Sequence, residues 1–359
     1  MYSEIGSEFW TENQHGGKGI FSFIPFKSNC IYTLCGRSAL DITVDDIIRT
    51  GHAIKSVYLP SYCCHTMIEP FSKRNIKIRF YDVYTENNQI KIDFDDNNSC
   101  DVVFFLDYFG FKTNGLTDVV SRQKSMGKIV IYDATHSFFC KNNDYSCYDY
   151  VFASLRKWTG VNFGFCSKRE GTFCNYSLKE NIAYMDLRNR CFAEKREYIF
   201  EGIGDKERFL NGFAEAENML EEDYELYCAD EKSVEFLSTF DADALIKKRR
   251  RNAGVLIDML NPLQNSNFSL IFEKLPDDSV PLFVPIELKG NTRTEVRRAL
   301  INSKIYCPVH WPVSDLHRGI SQKAEKLFIN EMSLVCDQRY CEDEMNYISY
   351  KLSEAIKEC

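Results

Sequence analysis

Between about residues 30 and 170, short apolar runs alternate with longer amphipathic stretches. The runs fall at 56–59, 76–84, 102–106, 129–132, 150–153 and 163–166. Several are apolar at consecutive positions, the pattern of strands covered on both faces. The first stops at Pro60. Between the runs, 38–50 places Leu40, Val44, Ile47 and Ile48 at helical spacing, and 65–73 does the same with Met67, Ile68 and Phe71. This alternation predicts an α/β domain with a mostly parallel central sheet flanked by helices. Ligands of such sheets bind beyond the carboxyl ends of the strands, so the residue after each run is where chemistry is expected.

From about 176 the pattern becomes long and charge-rich, with helical spacing over 216–226 and 242–260, the latter stopped by Asn261-Pro262. Strand-like runs at 269–272 and 282–284 and helical patterns at 294–303 and 342–357 predict a smaller α+β C-terminal domain. The expected division is a large domain over 26–240 and a small one over 241–359, with residues 1–25 packing against the small one. Internal repeats and low-complexity linkers are not evident.

Composition narrows the function classes. A net charge of −8 argues against a nucleic-acid surface, which needs clustered cations to displace counterions. The basic run Lys247–Arg251 reads as the solvated side of a helix. The fifteen cysteines, an odd number in an acidic chain with no signal-like start, read as reduced thiols of a cytoplasmic protein. No apolar run approaches the roughly 20 residues that span a bilayer. Cys63-Cys64-His65 is the tightest group of metal-ligand types, but neighbours on extended chain point to opposite sides, and no metal is expected.

The most informative pair is Asp133 and Lys157, each placed just beyond an apolar run and therefore at a strand's carboxyl end. Pyridoxal phosphate needs a lysine to hold its aldehyde and an acid beside its ring nitrogen, and two neighbouring strand ends can supply both. On spacing alone, a turn-capping aspartate and a surface lysine explain the pair better.

The surrounding motifs carry more. Asp133-Ala134-Thr135-His136-Ser137 and Ala153-Ser154-Leu155-Arg156-Lys157-Trp158 resemble the fold-type-I pyridoxal-phosphate enzymes, and among them the DegT-type aminotransferases of sugar nucleotides. Leu34-Cys35-Gly36-Arg37-Ser38-Ala39-Leu40 resembles their phosphate-cradling helix start, and Val57-Tyr58-Leu59-Pro60-Ser61-Tyr62 the segment after it. The resemblance implies the following roles. Lys157 would hold the cofactor as a Schiff base and move the substrate proton. Asp133 would pair with the pyridine nitrogen, and His136 would lie near the phenolic oxygen. Gly36, Arg37 and Ser38 would bind the phosphate, with Ser38 alternatively or also an N-cap. Ser154 would add a hydroxyl to the phosphate, although the family's usual serine position, five residues before the lysine, holds Phe152 here. Tyr62 is the choice for stacking on the ring, in competition with Cys64 and His65, and is alternatively an ordinary core tyrosine. Asp107-Tyr108-Phe109-Gly110 would shape the pocket wall beneath the ring. Cys307-Pro308-Val309-His310-Trp311-Pro312 resembles the substrate-facing segment of the small domain, with His310 either contacting substrate or belonging to a packing loop.

The resemblance therefore implies a homodimer with a small-molecule substrate, and the composition adds a cytoplasmic setting with no nucleic-acid or membrane partner. Its reaction would move an amino group from an amino acid, often glutamate in this family, to a keto acceptor such as a nucleotide-linked sugar, as in polysaccharide biosynthesis. The same residues would also serve a lyase or decarboxylase. A non-catalytic small-molecule binder on this scaffold is the alternative from another class.

Overall fold

The structure, a computed structural model, describes residues 4–12 and 15–358. A short strand β1 (Ile5–Gly6) precedes β2 (Cys30–Thr33), α1 (Gly36–Arg49), β3 (Ser56–Pro60), α2 (His65–Ser72) and the hairpin β4 (Lys77–Glu86) to β5 (Gln89–Asp93). Then come β6 (Val102–Leu106), α3 (Leu116–Ser125), β7 (Ile129–Asp133), β8 (Tyr150–Ser154), a single 3-10 turn Leu155–Lys157, and β9 (Gly164–Lys168). A helical stretch follows: α4 (Ile182–Glu201), α5 (Lys206–Glu222), α6 (Glu231–Ser238) and α7 (Ala242–Leu260). The last part comprises β10 (Phe268–Leu270), β11 (Val284–Leu288), α8 (Arg293–Asn302), β12 (Ile305–Tyr306), α9 (Gln322–Asn330), β13 (Glu331–Leu334) and α10 (Glu342–Glu358).

Eight strands form the main sheet in the order β2-β9-β8-β7-β6-β3-β4-β5. Its central strands, β8 through β4, run parallel; β9 is antiparallel to both of its neighbours, and β5 to β4. Every residue of β6 is buried, which explains why its sequence is apolar throughout rather than alternating. Helix α1 packs across β8 and β9, α3 against β7, and α2 against β4. After β4 the chain returns to the other side of β3, so the strand order reverses between β3 and β6, the kind of place where such sheets open a ligand crevice.

The smaller antiparallel sheet, β10-β11-β13, is backed by α7 and α9, and α10 packs on α7 and α8. The N-terminal segment crosses to this part of the chain: β1 pairs with β12, and Arg339 donates to the Ser7 and Glu8 carbonyls. No helix among the described residues is long and apolar enough to cross a membrane.

One expectation needs correcting. The basic run on α7 is not wholly solvated: Arg249 is 1% exposed. It lies on the stripe formed by Leu245, Arg249, Asn252 and Leu256, one helical face that packs inward, and its guanidinium is satisfied there by carbonyls and Gln338. A run of like charges conceals which member faces the core.

Candidate active site

A cavity of about 620 Å³ opens at the carboxyl ends of the parallel strands. One end is built by the start of α1. Its N-cap residue Cys35 is extended and makes no side-chain capping hydrogen bond. The first amides of the helix, at Gly36 and Arg37, have no partner within the helix, and they carry the positive end of its dipole. Close approach explains two glycines here. A Cβ on Gly36 would stand 2.9 Å from the Ser154 Cβ, and one on Gly164 would meet the Cys35 carbonyl carbon at 2.6 Å. Ser154 lines the same end, and its hydroxyl makes no hydrogen bond among the described residues.

Asp133 ends β7 and stands in register with Phe152 on β8, five residues before Lys157, so the two candidate residues leave adjacent strands. One Asp133 oxygen accepts the Thr135 amide at 2.8 Å; the other makes no hydrogen bond among the described residues. Burial raises its carboxyl to about 6, against the Thr135 hydrogen bond that favours the ion. Lys157 ends the 3-10 turn, is exposed to the cavity, and has neither a hydrogen bond nor an ion pair among the described residues. The turn is fixed from both sides. The Trp158 indole donates to the Thr135 carbonyl at 2.6 Å, and the Trp158 carbonyl accepts from Gln338 at 2.8 Å and Arg249 at 3.2 Å.

His136 is buried and its Nδ1 accepts the Phe109 amide at 3.2 Å. Burial, aided by the Lys157 charge, lowers its pKa to about 3, so the ring is neutral with its proton on Nε2. Trp311 stacks on His136 at 5.4 Å between centroids, and His310 meets it edge-on at 5.6 Å. His310 also lines the cavity; its Nδ1 lies 3.0 Å from the Ser333 hydroxyl, and its amide donates to Glu331 at 2.8 Å.

Paired charges form the remaining wall. Arg188 bridges Glu217 at 2.9 Å and Glu8 at 3.2 Å, and Arg156 also pairs with Glu217. Arg37 pairs with Glu221 at 2.6 Å and donates to the Leu220 carbonyl. The Cys64 sulfur lies 3.9 Å from His65 Nδ1, and the other ring nitrogen lies 3.7 Å from Glu221. Burial would raise the Cys64 thiol, but hydrogen bonds from His65 and Thr66 outweigh it and leave the thiol below its ordinary value.

Of the expected residues, the structure brings Lys157, Asp133, His136, Gly36, Arg37, Ser154 and His310 to this one cavity. Two are placed elsewhere. Tyr62 is buried in an aromatic cluster with Tyr108, Trp311 and Phe328, outside the cavity lining, where Cys64 and His65 take the positions it competed for. The Ser38 hydroxyl turns away to donate to the Tyr224 carbonyl at 2.5 Å, and Cys35 rather than Ser38 is the N-cap; only the Ser38 amide remains at the helix start. The segment from Asp107 to Gly110 supports rather than lines: Asp107 accepts from Thr113 and Tyr132, and Phe109, at φ 57°, presents its amide to His136. Sequence reasoning missed Glu8, Arg188, Glu217, Arg249, Glu331 and Ser333. Apart from Arg249 inside the basic run, they sit in ordinary polar positions of helices, a strand and the N-terminal segment, with no local signature.

No protein-family model matches this chain, and no curated protein matches it in sequence. Solved structures do match in fold. PseC of Helicobacter pylori, an aminotransferase involved in the biosynthesis of pseudoaminic acid, is 12% identical with a TM-score of 0.66, over 99% of this chain and 100% of its own. DesI, solved in the presence of its TDP-sugar product, is 13% identical with a TM-score of 0.60, over 96% of this chain and 86% of its own. NtdA of Bacillus subtilis, solved with bound cofactor PMP, is 14% identical with a TM-score of 0.59, over 91% and 73%. The chain therefore has the fold of these proteins, the fold-type-I architecture that the sequence motifs implied.

Proposed function

We propose that this chain is a pyridoxal-phosphate-dependent aminotransferase of the DegT type, moving an amino group from an amino acid such as glutamate to a keto acceptor such as a nucleotide-linked sugar. One observation carries the reading. An unpartnered lysine amine, a buried carboxylate with one free oxygen, and an uncapped helix start share a single cavity. An amine for an aldehyde, an acid for a ring nitrogen and amides for a phosphate are the three demands of that cofactor. The cavity, about 620 Å³, is also of a size for cofactor and substrate together.

When bound, pyridoxal phosphate supplies an electron sink for charge developing at the substrate's α-carbon. The protein's own groups do the rest. The Lys157 amine takes the proton from substrate carbon and returns it, which needs an amine free of competing partners. Asp133 keeps the ring nitrogen protonated: a carboxyl that burial holds near 6 regains its charge beside a cation. His136, fixed by the Phe109 amide with its proton on Nε2, would offer a neutral donor to the phenolic oxygen. Amides of Gly36 and Arg37 with the Ser154 hydroxyl hold the phosphate. His310 faces substrate, and Trp311 and Phe283 close the wall and exclude water.

The large unit is read as 26–240 and the small as 241–359, with residues 1–25 reaching the small unit through β1 and Arg339 but bonded also to the large one through Arg188, Lys195 and Phe192, and the protein as a cytoplasmic homodimer that makes amino sugars for polysaccharides. Support for a dimer surface comes from the exposed apolar residues Ile182, Phe200, Ile203 and Leu210 in and between α4 and α5.

The test is direct. Purified protein should be yellow, and borohydride should fix cofactor mass onto the peptide holding Lys157, but not in Lys157→Ala. Glutamate should then yield a keto acid and leave its amine on the protein. Loss of carbon dioxide instead, or a colourless protein that binds no cofactor, would refute the assignment.

A further inference from the structure

Behind His310 lies a buried chain of polar groups that the proposed chemistry has not yet used. Glu331 and Ser333 stand two apart on β13, so their side chains share one face of the strand. The Ser333 hydroxyl lies 2.5 Å from one Glu331 oxygen and 3.0 Å from His310 Nδ1. The second Glu331 oxygen accepts the His310 amide at 2.8 Å, which locks the carboxyl in place. Glu331 and Ser333 are fully buried, and His310 opens on the cavity. A carboxyl with no exposure, joined to the cavity only through a hydroxyl and an imidazole, is an unusual arrangement to build for packing alone.

We propose that Glu331, Ser333 and His310 form a proton relay that makes His310 the acid for the acceptor's carbonyl oxygen. This deepens the aminotransferase reading and rests on it. When an amine nitrogen replaces a carbonyl oxygen, the oxygen must leave as water. In the relay's resting state the Glu331 proton points to Ser333, the Ser333 proton to Nδ1, and His310 presents Nε2–H to the cavity. As the Nε2–H bond breaks and the substrate O–H bond forms, the Ser333 proton passes to Nδ1 and the Glu331 proton to Ser333. His310 stays neutral throughout, and the charge appears on Glu331. The incoming nitrogen sheds the two protons that water carries away, so the relay returns to its starting state and the step balances.

Electrostatics agree with this geometry. Burial raises the Glu331 carboxyl to about 8, although Ser333, the His310 amide, Tyr62 and the Arg293 guanidinium all favour its ion. Burial, with His136 and Lys157 nearby, keeps His310 from gaining a second proton. Glu331 is therefore the group that stores the proton at neutral pH, facing Arg293 from α8 and Tyr62 from the loop after β3. Glu331 and Ser333 act as positioning residues and His310 as the catalytic residue.

The experiment has two arms. In cofactor-free protein labelled with 15N-histidine, His310 should carry its proton on Nε2 near neutral pH. It should switch to Nδ1 as pH rises through about 8, when Glu331 loses its proton. In Ser333→Ala the tautomer should no longer follow that titration, and in Ser333→Thr it should follow again. In the loaded enzyme, Ser333→Ala should slow amine transfer to the keto acceptor on the order of 100-fold, the typical scale of a lost acid catalyst. Ser333→Thr should recover most of the rate, and borohydride should still fix cofactor at Lys157 in both. A His310 tautomer that ignores pH in the native chain, or a Ser333→Ala enzyme that transfers at the native rate, would overturn the relay. Failure of the cofactor reading shows separately, as no fixation at Lys157 in the native protein.

Discussion

Replacing Asp133 with Asn should stabilise the empty protein while weakening its hold on the cofactor, and the two effects can be sized. Burial lifts the Asp133 carboxyl to about 6 from an ordinary 3.8. At about 1.4 kcal/mol per pH unit, that gap makes the ionised form cost folding ~3 kcal/mol. The sign follows from where the proton sits. Below the unfolded value both states are protonated and nothing is lost. Between the two values the unfolded chain ionises first, and folding pays progressively. Above about 6 the full cost applies. Asn carries no charge to desolvate, and its Oδ1 can still accept the Thr135 amide. Asp133→Asn should therefore gain ~3 kcal/mol at about pH 8 but only ~1.6 kcal/mol at about pH 5. Urea unfolding of cofactor-free protein at the two pH values measures the difference. A variant no more stable than the native chain at the higher pH, or equally stabilised at both, would refute the reasoning. Cofactor retention should move the other way, because a neutral amide cannot hold a protonated ring nitrogen by charge.

Two further outcomes follow from the same geometry. Ser154→Ala should leave thermal stability unchanged, since its hydroxyl bonds nothing among the described residues, but should weaken cofactor binding roughly tenfold by losing a hydrogen bond to a charged phosphate, as read by equilibrium titration. Arg249→Met should lower stability by ~2 kcal/mol in chemical denaturation, because it strands the Leu282 carbonyl and the Gln338 side-chain oxygen, a loss only partly offset by relief of a buried charge.

The large sheet was legible because burial on both faces leaves a strand nothing but apolar positions, as β6, β7 and β8 show. The hairpin β4 to β5 escaped notice because its two-residue turn, Asn87-Asn88, lacks the usual glycine; both asparagines nonetheless adopt the positive φ such a turn needs. Helix α4 fell within the charge-rich helical region expected from about 176, but its own bounds were not marked. Its polar residues are not confined to one side: Arg188 and Lys195 are buried among Phe192 and Leu187, held by ion pairs and carbonyls, so the stripe that marks an amphipathic helix is blurred. Buried, satisfied charge blurs that stripe without always hiding it: α1 buries Asp41 and Asp46 and α7 buries Arg249, yet both keep a readable apolar spacing. The site divides in a similar way. Lys157, Asp133 and His136 stand at strand ends that the sequence marks, whereas Glu331 and Ser333 lie on β13, a short strand that the sequence pattern did not mark.

The charge pattern of the cavity also explains how an acidic chain can hold an anionic cofactor. Several arginines reach the wall, but most are already neutralised: Arg37 by Glu221, Arg156 and Arg188 by Glu217, and Arg339 by Asp337. Such pairs cancel at a distance, so they add little general attraction for anions. What remains without an ion pair among the described residues is local: the amides at the start of α1, which favour a phosphate at one place, the Lys157 amine, and the Arg249 and Arg297 guanidiniums, which donate to carbonyls and Gln338. The paired arginines still matter, because Arg188 ties α4 to α5 and to Glu8, and so keeps the N-terminal segment against the cavity mouth. Selectivity in this site thus comes from where unpaired donors are left, rather than from the total charge around them.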